Sequence, residues 1–129
     1  TSDELFKYIL RDESRGVFTG RILVAQDAQK TQAYQNNRNL LLSPSARMQS
    51  KPQLEIYADD VKCSHGMTTG QLSENALFYM RQRGIALQEA KLMLSNAFVA
   101  DVLQRIPEEE LSEHLRTKTE ERLRTLAGK

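Results

Sequence analysis

Up to about residue 72 the chain alternates short runs rich in β-branched, leucine and aromatic residues with runs of turn formers. The apolar runs are Leu5 to Leu10, Gly16 to Val24, Thr31 to Leu42, Gln53 to Tyr57 and Val61 to His65. Asp12-Glu13-Ser14, Asp27-Ala28-Gln29, Ser43-Pro44-Ser45 and Ala58-Asp59-Asp60 separate them. This pattern predicts short strands joined by tight turns. Asn36-Asn37 interrupts the third run, which therefore reads as one strand or as two. No amphipathic helix intervenes, so the segment is not a βαβ unit. Closely spaced strands suit a sandwich, a barrel or a solenoid. With no strict repeat, the pattern leaves all three open.

Beyond residue 72 the period changes to that of helices. Ser73 can cap a helix over Glu74 to Gln82, and Gly84 stands where a helix stops. Leu77 and Met80, three apart, share a face, with Phe78 to one side. A second helix is predicted from about Leu87 to Arg105. Its two stripes, Leu87/Ala90/Leu94/Ala97/Phe98 and Leu92/Val99/Leu103/Ile106, predict burial over much of its circumference. Pro107 suits the first position of a third helix, with Glu108-Glu109-Glu110 at its positive end. That helix has a thin stripe of Leu111, Leu115, Leu123 and Leu126, and an i,i+4 pair of Glu120 and Arg124. The expected organisation is a β part over 1–72 and a small helical domain over 73–129.

Composition narrows the function classes. Net charge is +1, and no basic run is interleaved with aromatics, so nothing calls for nucleic acid. No apolar stretch approaches the roughly 20 residues of a membrane span. The single cysteine, Cys63, forms no intramolecular disulfide and fits a reducing cytoplasm. The chain opens at Thr1 and enters a strand almost at once, which reads as a fragment of a longer protein. A cut strand edge would then expose Phe6, Tyr8 or Phe18 and drive self-association.

Candidate chemistry concentrates at Val61-Lys62-Cys63-Ser64-His65. On a strand, Cys63 and His65 point to one side, and a thiolate and an imidazole can converge there on iron or zinc. Two ligands are too few for a cluster, which takes four, so the others would come from elsewhere. The plainer reading makes Cys63 a small core residue and His65 a strand-end histidine bonded to backbone. A third makes Cys63 a nucleophile, which needs a base and an electropositive setting. Asp59-Asp60 reads as a turn and His114 as a solvated helical residue. The glycines form neither a dinucleotide fingerprint nor a P-loop, and no hydrolase elbow surrounds Ser64.

The run Lys51-Pro52-Gln53-Leu54-Glu55-Ile56-Tyr57-Ala58-Asp59-Asp60-Val61-Lys62-Cys63-Ser64-His65-Gly66 resembles the signature of the SufB/SufD family of the SUF iron–sulfur cluster assembly system. So do Asn39-Leu40-Leu41-Leu42-Ser43, Thr68-Thr69-Gly70 and Leu77-Phe78-Tyr79-Met80-Arg81-Gln82-Arg83-Gly84-Ile85. The Cys-Ser-His-Gly version resembles the family's SufD branch.

The resemblance implies a β-plus-α fold: the end rungs of a right-handed parallel β-helix followed by a small C-terminal helical domain. It implies a scaffold subunit, not an enzyme, that pairs with SufB and docks the ATPase SufC. The alternative is a structural paralogue that holds no metal. A second copy of the chain is a further candidate partner through the β-helix. The resemblance maps the family's functional histidine onto His65 and the neighbouring cysteine onto Cys63. The cargo would be a transient iron–sulfur cluster shared with a partner subunit, and none would be held stably by this stretch alone. Docking surfaces rest on aromatic and arginine anchors, so Phe78, Tyr79, Arg81, Arg83 and Ile85 are the candidates for the ATPase contact.

Overall fold

The structure is a computed structural model that describes residues 1–127. It divides into two units, Thr1–Gln71 and Leu72–Lys129, each considered by itself. The first holds five strands, β1 (Ser2–Leu10), β2 (Arg15–Val24), β3 (Gln32–Leu41), β4 (Arg47–Ile56) and β5 (Lys62–Gln71). Successive strands alternate between two sheets. One has the order β1-β3-β5, the other pairs β2 with β4, and every pairing is parallel. Ser2 lies opposite Ala33, Arg15 opposite Arg47 and Gln32 opposite Lys62, so the registers run without a slip. No closed barrel forms among the described residues.

The turns stack as the strands do. Asp12 and Lys30 adopt left-handed backbone, with φ of 55° and 63°. The Asp12 carbonyl accepts from the hydroxyls of Ser43 and Ser45, each at 2.7 Å. The Lys30 amide donates to the Asp60 carbonyl at 2.6 Å, and the Asp60 amide donates to Gln29 Oε1 at 2.9 Å. Each turn thereby satisfies polar backbone groups of the next, a requirement wherever the chain is shielded from water.

The two sheets share one interior. Phe18 of β2 packs against Phe6 of β1, with ring centroids 5.0 Å apart, and against Tyr8 at 6.4 Å. Leu10, Val24, Leu40, Ala46 and Ala58 are buried around them. Between the sheets β3 presents a buried row of amides, Gln35, Asn37 and Asn39. Asn39 Nδ2 lies 2.7 Å from Asn37 Oδ1 and 3.1 Å from Thr69 Oγ1, and the Ser50 hydroxyl donates to Asn37 Oδ1 at 2.6 Å. A Cβ on Gly20 would collide with the Gln35 side chain, so glycine is what lets that amide cross the interior.

Several local expectations change. Asn36-Asn37 does not split the third run, because Asn37 points inward within an unbroken parallel ladder. β4 starts at Arg47, well before Gln53, with Met48, Ser50, Pro52 and Leu54 half-buried in strict alternation. β5 continues through Gly66 and Gly70 to Gln71, because β3 supplies its partners along the whole length. Phe18 is 6% exposed and so is not part of an open apolar end, whereas Phe6 is exposed.

The second unit holds α1 (Glu74–Gln82), α2 (Leu87–Leu103) and α3 (Glu109–Ala127). The Ser73 side chain accepts from the Ala76 amide at 3.2 Å and caps α1. At the other end the Gly84 amide donates to the Arg81 carbonyl and the Ile85 amide to the Met80 carbonyl. This is a Schellman stop, and Gly84 has the required positive φ of 84°. α2 buries Ala90, Leu92 and Ser95, less of its circumference than its two stripes predict, and Leu87 and Met93 stay exposed. α3 starts at Glu109 rather than at Pro107, and the Glu108 carbonyl accepts its first bond, from Ser112. The predicted Glu120–Arg124 pair closes at 2.8 Å, and Arg124 also reaches Glu89 of α2 at 3.8 Å.

Candidate functional site

β5 is a terminal strand of its sheet, hydrogen-bonded to β3 on one side. Cys63, His65, Met67 and Thr69 lie opposite Ala33, Gln35, Asn37 and Asn39. The Asn39–Thr69 contact fixes this as the face turned toward the amide row, since side chains alternate along a strand. The thiol and the imidazole therefore do share a face. Cys63 is free and half-buried, and His65 is exposed. A Cβ on Gly66, the residue after His65, would strike Asn36 Oδ1. The backbone thus comes close to β3 directly beside the histidine.

Chemically the pair offers one soft and one borderline donor. Among the described residues no group of three or more His, Cys, Asp or Glu side chains could hold a metal ion. A cluster seated here would need further ligands from outside the described residues. Next to the pair, among the described residues, β5 has a neighbouring strand on the β3 side only, and its other side is a sheet edge, the template on which another strand adds. Asp59 and Asp60 lie in the exposed turn before β5, and His114 is exposed on α3.

The helical candidates fall in α1 and its stop. Phe78 is 65% and Tyr79 58% exposed, and the Arg83 guanidinium stands 4.6 Å from the Tyr79 ring centroid. Arg81 is exposed and Ile85 half-buried. The structure brings Tyr79 and Arg83 together. Leu77 and Met80, not Phe78, face the packed side of α1. No helix of the described residues is long and apolar enough to cross a membrane.

Sequence reasoning missed the neighbours of His65 on its own face. Gln35 lies opposite it on β3, and Glu4 lies opposite Gln35 on β1. Gln35 Nε2 donates to Glu4 Oε2 at 2.8 Å. The only signal was the alternation Ala33, Gln35, Asn37, Asn39, with polar groups where apolar ones are the rule.

Residues 1–98 match the family described as SUF system FeS cluster assembly, SufBD core domain. The chain is 45% identical to the iron-sulfur cluster assembly protein SufD of Escherichia coli over 95% of its own length and 29% of that protein. It is 45% identical to an iron-sulfur cluster assembly SufBD family protein of Synechocystis over 89% of its length and 25% of the relative. It is 42% identical to Protein ABCI7, chloroplastic, of Arabidopsis thaliana over 89% and 24% respectively. The chain thus spans less than a third of the length of each of these relatives.

Proposed function

The chain belongs to the SUF system FeS cluster assembly family with the SufBD core domain, and from that membership we propose that it works as part of a SufD-type scaffold subunit. It is an assembly component rather than a stand-alone catalyst, and its place is the cytoplasm. The observation that carries this reading is the placement of Cys63 and His65 on one face of β5, beside a strand edge that another chain can extend.

The strands that alternate between two parallel sheets, with stacked turns, support end rungs of a right-handed parallel β-helix. Pairing with SufB through the β5 edge would bring a second set of ligands next to Cys63 and His65. The cargo is a nascent iron–sulfur cluster. Cys63 would offer a thiolate and His65 an imidazole nitrogen, and the remaining ligands would come from the partner. The assignment of the ATPase contact to the helical unit rests on exposed Phe78 and Tyr79 with Arg81 and Arg83, and on Ile85 after the helix stop. Aromatic and arginine side chains are the usual anchors of such surfaces.

Iron titration of the SufB–SufC–SufD complex carrying His65→Ala tests the reading. Weakened iron uptake supports it. Uptake equal to the parent complex would favour a structural paralogue that holds no metal.

A further inference from the structure

The sheet of β2 and β4 turns one face inward and the other to solvent. Phe18 and Val24 are buried, so by alternation Arg15, Val17, Arg21 and Leu23 lie on the outer face, and all four are exposed. On β4 the exposed Arg47 and Lys51 alternate with half-buried Met48, Ser50 and Pro52, which puts them on the same outer face.

The parallel register sets cation against cation. Arg15 lies directly opposite Arg47, and Lys51 lies opposite Thr19, diagonal to Arg21. Glu55 is the only carboxylate of the two strands, and it meets Arg21 at 3.5 Å. The Arg47 guanidinium donates to the Pro44 and Ala46 carbonyls, which hold it in place without neutralising it. The Arg15 and Lys51 side chains have no ion-pair partner among the described residues. Like charges opposite one another on neighbouring strands destabilise a sheet, and an anionic partner would relieve that repulsion.

Val17 and Leu23 stand among these cations, 65% and 53% exposed. A fitting partner therefore offers apolar side chains as well as carboxylates. A phosphodiester backbone brings no apolar side chain, and β2 and β4 expose no aromatic ring on which a base could stack. From the Arg15–Arg47 row to Arg21 the face runs about 20 Å, at roughly 3.3 Å per strand residue. An α-helix covers that span in about 13 residues, and helices are what sheet faces commonly bury.

We propose that the outer face of β2 and β4 docks an acidic amphipathic helix of another protein. Its carboxylates meet Arg15, Arg47 and Lys51, and its apolar stripe lies against Val17 and Leu23. The surface uses no residue of β5 or of the helical unit, and it stands whether or not His65 is a ligand.

The test is fluorescence anisotropy of the full-length subunit with a synthetic amphipathic helical peptide, glutamates on one face and a leucine stripe beside them. The same peptide with lysines for the glutamates is the control. The parent should bind the acidic peptide saturably and the lysine peptide not at all. Arg15→Glu combined with Lys51→Glu should weaken binding about tenfold or more. The melting temperature of that variant should not fall, because both positions are exposed and the new carboxylate at position 15 faces Arg47. Val17→Ser should weaken binding by a smaller factor, about threefold. No binding by the parent, or equal affinity in the charge-reversed variant, would overturn the proposal. So would a DNA duplex or phosphatidylglycerol vesicles bound more tightly than the peptide and lost in the same variant, since the face would then serve a polyphosphate or a membrane.

Discussion

Asn39 of β3 lies 3.1 Å from the Thr69 hydroxyl of β5 through its Nδ2, and this contact binds the terminal strand to the buried amide row. The same amide reaches the Thr68 carbonyl at 3.1 Å and Asn37 Oδ1 at 2.7 Å. The strand that carries Cys63 and His65 is thus held by side chains as well as by the backbone ladder.

Replacing Asn39 should therefore cost more than one hydrogen bond. Asn39→Ala removes its bonds to Asn37 Oδ1, which keeps the Ser50 hydroxyl, and to the exposed Thr68 and Thr69, and opens space in the interior. The expected loss is about 1–2 kcal/mol, from the lost hydrogen bonds and a small void. Chemical denaturation of the variant checks it, and a loss below about 0.5 kcal/mol would show that water replaces the amide.

Gly20 and Gln35 should be energetically coupled. Gly20→Ala puts a methyl group where the Gln35 amide lies, an overpacking that costs about 1–3 kcal/mol. Gln35→Ala removes the obstacle. In a double-mutant cycle the pair should be less destabilised than the sum of the singles. Strict additivity would mean that the two residues do not compete for one space.

Much of this arrangement was legible beforehand, and what was not has a common cause. Period-two alternation identified the face shared by Cys63 and His65, and Ser73 with Gly84 marked both ends of α1. The full length of β4 and β5 was not visible, because Lys51, Pro52, Gly66 and Gly70 are poor strand formers. In a parallel stack the neighbouring strand supplies hydrogen bonds whatever the local propensity. Asn36-Asn37 read as a break for the same reason. Glu4 and Gln35 escaped notice because the register that places them beside His65 joins residues far apart in sequence.

The helical unit offers a cap test. Ser73→Ala removes the acceptor for the Ala76 amide and should cost about 1 kcal/mol. Hydrogen exchange over Glu74 to Met80 should speed up about fivefold, while exchange in β3 stays constant. Equal acceleration in both would indicate global loss instead.

The proposed ATPase contact predicts that Arg81→Ala combined with Arg83→Ala weakens SufC binding by about tenfold or more with helical content unchanged. Arg83 over the Tyr79 ring contributes little to the fold at so exposed a site. Titration calorimetry of the full-length subunit against SufC decides the matter, and unaltered affinity would move the surface to another helix, with α2 the first to test.

The central claim is that β5 presents His65, with Cys63 beside it, to an iron–sulfur cluster completed by a partner. It is tested most directly by anaerobic iron titration of the assembled SufB–SufC–SufD complex, parent against His65→Ala, with complex integrity checked by light scattering. The account predicts an intact complex whose iron affinity falls by about tenfold or more, as loss of one of a few ligands requires. An intact complex that takes up iron as tightly as the parent would contradict it.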